Sequence, residues 1–293
     1  MRHITRISGG VVVSALGLVL LASSPMVAQS TVNFTINNVG AGGSLDGIYT
    51  SPYGGTVNGT STPVICDDFA NTSFVPEAWK AYVTSLSSIV GNNPNGILKW
   101  NNANSGGTVD GYAAWNLGQQ TAYDVAAYLA IELDSSPAAS QTSEDLSYAI
   151  WELFDATGAS GSPADLLSIP PDNDQVVSWL NGHSDLTTLN NATQDVENAI
   201  TQVCANASLG CTTSGGVENV GGTLSFLNGW NINIYTFDPA GGAPTCNGGQ
   251  CSSAPPQEFI TIPESSSAGA FAVYLLLGCA SLLFVGRRRI FKG

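Results

Sequence analysis

The C-terminal segment constrains the fold most, because it has the composition of a membrane span. Residues 268–286 are apolar or small and carry no charge, and a cluster of three arginines and one lysine follows them. About 20 apolar residues suffice for a helix to cross the hydrocarbon core, and a basic cluster after such a run belongs on the cytoplasmic side. The pattern predicts a transmembrane helix over 267–286, with the preceding chain outside the membrane.

The first 30 residues have the order of a secretory signal peptide. Arg2 and Arg6 form the basic region, residues 11–22 are apolar, and Ala28-Gln29-Ser30 offers a small-x-small cleavage site. This order predicts export by Sec-type machinery. The sequence then divides into three parts: a signal peptide over 1–30, an extracellular domain over 31–261 and a sorting segment over 262–293.

The predicted extracellular domain is acidic. The chain has 22 acidic and 8 basic residues, and six of the basic residues lie in the two ends, so 8 − 6 = 2 remain, Lys80 and Lys99. Such a domain repels nucleic acid and anionic lipid, and we expect no nucleic acid among its partners. Its aromatic and branched apolar content is too high for disorder.

The cysteines predict two local disulfides. Cys279 lies in the apolar tail, and export implies an oxidising compartment. The short spacings favour Cys204–Cys211 and Cys246–Cys251, although four cysteines allow three pairings and the sequence does not choose between them. Neither spacing, without nearby histidine, suits a zinc site. No metal and no cofactor is therefore predicted.

Strand and helix signals are segregated along the chain. Residues 31–69 alternate in the manner of half-buried strands. Helical spacing after Pro76 predicts the first of six helices, which continue to Cys204, and strand signals return between Cys211 and Ile262. Segregated elements favour an α+β fold. The expected fold has N- and C-terminal antiparallel β-strands around a central helical segment, plus the C-terminal transmembrane helix. The face predicted for the first helix comprises Trp79, Tyr82, Val83, Leu86 and Ile89 or Val90.

The tail carries a further pattern. Ile262-Pro263-Glu264-Ser265 precedes the apolar run, and Arg287, Arg288 and Arg289 follow it. This order resembles the PEP-CTERM sorting signal, with a serine in place of the second proline. The resemblance implies cleavage by an exosortase-like membrane protease, followed by display at the cell surface or release to the extracellular matrix. An ordinary anchor, held in the membrane through its C-terminal helix, is the alternative.

Segments of the predicted extracellular domain also resemble known proteins. The runs Val64–Phe69, Trp79-Lys80-Ala81, Tyr148–Trp151 and Gln257-Glu258-Phe259-Ile260 resemble a recurrent PEP-CTERM ectodomain, which implies a surface or matrix protein without a transferable activity. Cys66 and Ala149-Ile150-Trp151 resemble thioester domains of Gram-positive adhesins, in which a glutamine precedes Ala-Ile-Trp by two residues. Ser147 stands at that position. A hydroxyl cannot replace the carboxamide carbon, so the resemblance implies a thioester-like relic without the bond. The alternative is that Cys66 is a small buried hydrophobic residue.

No catalytic constellation stands out, and we predict that the protein is not an enzyme. His183 is the only histidine outside the signal peptide, and its polar neighbours predict a solvated loop. Asp67 and Asp68 are adjacent, but neighbours on a strand point to opposite faces, so they would not flank one glycosidic bond. Trp100 and Trp115, in or beside a Gly/Asn-rich loop, are the candidate exposed ligand aromatics.

These patterns predict an exported bacterial cell-surface or extracellular-matrix protein. Its expected role is structural or adhesive, in an exopolysaccharide or biofilm context. The expected partners are the export machinery, the exosortase-like protease, and an extracellular polysaccharide or surface protein. A carbohydrate- or protein-binding surface module is the alternative, and a secreted hydrolase is the third hypothesis.

Overall fold

The computed structural model describes residues 30–40, 43–69, 73–89, 97–100, 115, 117–155, 175–214, 217–227, 230–246, 251 and 256–262. The predicted signal peptide, apart from Ser30, and the predicted helix over 267–286 lie outside these residues. Within the described ranges, no helix has both the length and the apolar character needed to cross a membrane.

The strands and helices of the described residues have the following bounds. The strands are β1 (Thr31–Asn38), β2 (Ser44–Leu45), β3 (Ile48–Tyr49), β4 (Tyr53–Val57), β5 (Thr60–Cys66), β6 (Glu77–Ser85), β7 (Cys211–Ser214), β8 (Val217–Val220), β9 (Asn233–Phe237), β10 (Thr245–Cys246) and β11 (Phe259–Thr261). The helices are α1 (Gln119–Ser135), α2 (Gln141–Asp155), α3 (Gln175–Gly182) and α4 (Leu186–Asn206).

Among the described residues, six antiparallel strands close into a barrel. Their order is β1–β4–β5–β11–β9–β6, and β6 pairs again with β1. Closure depends on the first strand, because Phe34 lies opposite Val57 of β4 on one side and Trp79 of β6 on the other. β10 adds to the beginning of β6, while β2–β3 and β7–β8 form separate hairpins.

The barrel corrects the predicted fold class. The expected α+β fold places N- and C-terminal strands around a helical segment. In the structure those strands interleave in one closed sheet, with the last strand, β11, between β5 and β9. Alternating hydrophobicity reports which face of a strand is buried, but it does not report which strands pair. The prediction of an α+β fold with terminal strands around a central helical segment is therefore wrong, whereas the helix predicted over 267–286 lies outside the described residues.

The first predicted helix is also wrong, because residues 77–85 form strand β6. The predicted face Trp79, Tyr82, Val83 fits a helical period, yet burial follows a period of two at Glu77, Trp79 and Ala81. A glutamate and an alanine at two of these inward positions hide the alternation from a hydrophobicity count. Pairing with β1 and β9 on opposite sides then decides the conformation.

Aromatic side chains fill the barrel. The Phe34 ring centroid lies 5.0 Å from that of Trp79, 5.2 Å from that of Tyr235 and 5.4 Å from that of Phe259. Each ring comes from a different strand, so this cluster joins β1, β6, β9 and β11. Tilted rings at these separations pack favourably beyond the area that they bury.

The helices pack beside the barrel, with α2 touching the other three helices. Asp185 caps α4 by accepting a hydrogen bond from the Thr188 backbone N–H at 3.0 Å. On the barrel side, Phe69 packs against Tyr148 and Trp151 of α2. The region after β5 therefore lies between the barrel and the helices.

Both predicted cysteine pairs lie at disulfide distance. Cys204–Cys211 joins the end of α4 to β7, and Cys246–Cys251 closes a short loop after β10. Cys66 is free and buried.

Candidate functional site

Buried acidic side chains meet at one end of the barrel. Asp67 and Asp68 follow β5, and Glu258 precedes β11. All three are at most 1% exposed. The two segments are held side by side because the Asp67 backbone N–H donates to the Glu258 carbonyl, continuing the β5–β11 pairing. We call Asp67, Asp68, Glu258 and Lys99 the acid cluster.

Glu258 receives hydrogen bonds from three parts of the fold. The Tyr123 hydroxyl of α1 donates to Oε1 at 2.5 Å. The Lys99 backbone N–H donates to Oε2 at 3.0 Å, and the Thr236 hydroxyl of β9 donates to the same oxygen. Three donors favour the charged form of a carboxyl group, although burial opposes it and raises the pKa of Glu258. This carboxylate therefore joins a helix, a loop and two strands.

Asp67 differs from Glu258, because its oxygens accept no hydrogen bond from another residue. Burial raises the pKa of Asp67 well above its ordinary value, and the charges of Glu258 and Asp68 raise it further. Burial and the two neighbouring carboxyl groups thus favour the protonated form of Asp67 over its charged form.

Asp68 forms an ion pair with Lys99, whose Nζ contacts Asp68 Oδ2. The Asp68 side chain is fully buried and that of Lys99 is 24% exposed. The Trp100 ring lies beside the amine, with its centroid 4.4 Å from Nζ. Lys99, which is one of the two lysines of the predicted acidic domain, therefore lies within the acid cluster.

Backbone hydrogen bonds fix both members of this ion pair. The Gln257 side chain donates to the Asp68 carbonyl at 2.6 Å. On the other side, the Trp100 N–H donates to the Tyr123 hydroxyl at 3.4 Å, and the Gln119 side chain donates to the Trp100 carbonyl at 2.8 Å. Segment 97–100 is therefore held against α1 and β11 by its backbone.

The expectation that Asp67 and Asp68 point to opposite faces depends on a strand that ends before them. β5 ends at Cys66, so the alternation of a strand does not extend to the two aspartates. Both side chains are buried and interact electrostatically. The sequence signal that could have indicated the acid cluster is the scarcity of lysine. Lys99 is one of only two lysines in the predicted acidic domain, so an acidic partner for it is expected.

Cys66 and Ser147, the predicted thioester-like pair, are brought close together through Ser51. The Cys66 N–H donates to the Ser51 hydroxyl at 3.0 Å, and the Ser51 N–H donates to the Ser147 hydroxyl at 3.2 Å. The Cys66 thiol donates to the Asp68 carbonyl at 3.2 Å. Complete burial raises the pKa of this thiol, which makes it a poor nucleophile. The alternative of a buried small residue is confirmed, and the absence of a thioester stays a prediction.

The two predicted ligand aromatics are buried. Trp100 is 2% exposed and stacks on Phe154 at a centroid distance of 5.6 Å. Trp115 is 7% exposed, and its indole N–H donates to the Glu152 carbonyl at 3.3 Å. The expectation of an exposed aromatic pair is therefore wrong, because both rings complete the core between α1 and α2.

A separate cleft of about 550 Å³ lies between α1, the end of β6 and the segment around Trp230. Asp124 of α1 lines this cleft and is 3% exposed, and its Oδ2 atom has no hydrogen-bond partner. Burial raises the pKa of Asp124 from 3.8 to about 7. Clefts of this size with one aromatic and one buried polar group commonly bind small ligands. No sequence signal marks this position, since Asp124 lies in a regular helical pattern.

The residues of the predicted sorting signal cannot be located in the described part of the chain. Pro263, Glu264, Ser265 and the three arginines at 287–289 lie outside the described residues. Within the described residues, two groups of cysteine and glutamate atoms are close enough for a metal ion. In each group both cysteines form a disulfide, so their thiolates cannot serve as ligands.

Comparisons with protein-family models, curated proteins and solved structures found no match for this chain. The resemblances to PEP-CTERM proteins and thioester adhesins therefore rest on the residues quoted for them.

The raised pKa of Asp124 predicts a pH-dependent stability. Between about pH 4 and pH 7 the folded chain keeps a proton that the unfolded chain releases, so the free energy of unfolding falls as the pH rises. We expect a loss of up to about 4 kcal/mol from this group. Urea denaturation at pH 4.5 and 7.5 measures it. Asp124→Asn should remove that share of the loss, whereas Asp134→Asn, at an exposed position of α1, should not. Equal pH dependence in the wild type and Asp124→Asn would contradict the assignment.

Proposed function

We propose that this chain is an exported bacterial surface or matrix protein with a structural or adhesive role, rather than an enzyme. Its C-terminal segment would act as a sorting signal for an exosortase-like protease, and its partners would be an extracellular polysaccharide or a surface protein. The sequence of the two ends supports export. The acidic composition and the two cysteine pairs at disulfide distance suit an oxidising extracellular compartment.

The observation that carries this proposal is the attachment of the last strand. β11 ends at Thr261, directly before the predicted sorting segment, and it pairs with β5 and β9 on its two sides. At its start, Glu258 is bonded to Tyr123, Thr236 and the Lys99 backbone. A pull on the C-terminus would therefore have to break both strand pairings and the Glu258 bonds together. Such an attachment suits a domain held by its C-terminal end.

The proposal predicts processing near Pro263-Glu264. The full tagged chain would be expressed in hosts with and without the sorting enzyme, followed by fractionation and mass spectrometry of the C-terminus. We expect a new C-terminus near Glu264, and surface or matrix location, only in the host with the enzyme. Replacing Pro263 and Glu264 with alanine should block processing, whereas Ser266→Ala should not. Retention of Gly293 in both hosts would rule out sorting by cleavage.

A second candidate function is a carbohydrate- or protein-binding surface module. The observation that favours it is the cleft, in which the partly exposed Trp230 and the buried Asp124 face one space. A flat aromatic ring and a carboxyl group are the usual recognition elements for a polyhydroxylated ligand.

Glycan-array binding tests this second function. If the cleft binds sugar, Trp230→Ala should reduce binding at least about tenfold, the order expected when one well-packed anchor is truncated. Leu186→Ala, at a residue that is 55% exposed and does not line the cleft, is the control and should bind as the wild type does. Wild-type protein without glycan binding, or undiminished binding by Trp230→Ala, would remove this candidate.

A further inference from the structure

The acid cluster contains the two groups that condense to an amide, an amine and a carboxyl group, in contact with each other. A lysine amine contacts a fully buried aspartate carboxyl group, and two further buried carboxyl groups, those of Asp67 and Glu258, lie beside the pair. Buried ion pairs are expensive because both charges lose their hydration. Conversion of the pair into an amide would remove both charges while keeping the two segments in contact.

We propose that Lys99 and Asp68 form an intramolecular isopeptide bond in the folded protein. The bond would join Nζ of Lys99 to Cγ of Asp68 and would close a covalent ring between the end of β5 and segment 97–100. This inference does not depend on the export or sorting of the chain.

The reaction is a condensation that releases one water molecule. Transfer of one proton from the Lys99 ammonium group to the Asp68 carboxylate gives a neutral amine and a neutral acid. The amine lone pair then attacks Cγ, the N–C bond forms, and the Cγ–OH bond breaks. The hydroxyl leaves with one proton from the nitrogen, so atoms and charge balance without an oxidant or reductant.

Asp67 and Glu258 supply the proton relay. Asp67 is completely buried and lies beside Glu258, since its backbone N–H donates to the Glu258 carbonyl, and its carboxyl group interacts electrostatically with both Asp68 and Lys99. It can give a proton to the departing hydroxyl while Glu258, or Asp67 once ionised, accepts one from the attacking nitrogen. A paired acid and base beside the reacting atoms is the arrangement that general acid–base catalysis requires.

The fold holds the reacting groups in position before the reaction. The Gln257 side chain and the Cys66 thiol both bond to the Asp68 carbonyl, and the Lys99 N–H bonds to Glu258. Fixing two reactants in contact replaces a collision with an intramolecular step and can supply a very large effective concentration. The Trp100 ring covers one side of the amine and limits access of water.

Tryptic digestion of the denatured, reduced full chain tests the bond directly. Between Arg6 and Arg287 the chain has only two tryptic positions, Lys80 and Lys99. Trypsin does not cut after an acylated lysine, so the linked chain is cut only after Lys80. Its two products remain joined through Asp68, and their combined mass is lower by one water molecule. Fragmentation of this branched product should place the link at residues 68 and 99.

Variants separate the bond from other causes of resistance. Lys99→Arg should release free peptide 81–99, because arginine cannot form this amide under the same conditions and is still cut. Lys80→Arg is the matched control and should keep the joined product. Asp68→Asn should reach the same final mass as the wild type, with ammonia in place of water as the leaving molecule. Asp67→Asn should leave most of the chain unlinked.

The wild-type digest decides the proposal without the variants. Stoichiometric free peptide 81–99 from the wild-type chain would overturn it, and the contact would then be a buried ion pair only. A fully linked Asp67→Asn chain would overturn the role of Asp67 in the relay.

Discussion

The hydrogen bonding of the Glu258 carboxylate is the interaction on which this structure depends. A carboxylate is stable at complete burial only when donors replace its lost hydration. Tyr123, Thr236 and the Lys99 backbone provide those donors, and they come from α1, β9 and segment 97–100. The same requirement therefore fixes where the helices and the loop sit relative to the last strand.

Closure of the barrel and the acid cluster support each other. β11 is only three residues long, which is short for a strand that completes a barrel between two neighbours. Its backbone pairs with β5 and β9, while the Phe259 ring packs on Phe34 inside. Just before β11, Glu258 accepts a hydrogen bond from Tyr123 of α1. The hydrogen bonds of Glu258 thus add stability at the start of β11 that the pairing of so short a strand would not supply. The predicted C-terminal sorting segment follows directly after this strand.

The sequence predicted the local elements better than their assembly. The helices containing Val125, Ile150 and Val196, and the strands containing Phe34, Ile234 and Ile260, follow periods that predict them close to their observed bounds, whereas the strand signal over 221–227 falls on a short 3-10 helix at Ser225–Leu227. β6 was missed because Glu77 and Ala81 occupy inward positions where a hydrophobic residue is expected. The barrel was missed because periodicity carries no information on strand partners. The acid cluster depends on the same long-range pairing, since Asp68 and Glu258 meet only when β5 and β11 pair.

The most direct test of the central claim is removal of one donor to Glu258. Tyr123→Phe keeps the ring and deletes the hydroxyl, and it should lower the free energy of unfolding by about 1.5–3 kcal/mol, the range for a hydrogen bond to a charged group. Hydrogen exchange should show the amides of β11 opening before those of β1. Tyr128→Phe, at a partly exposed ring of the same helix, is the control. Unchanged stability and unchanged protection of β11 in Tyr123→Phe would contradict the account.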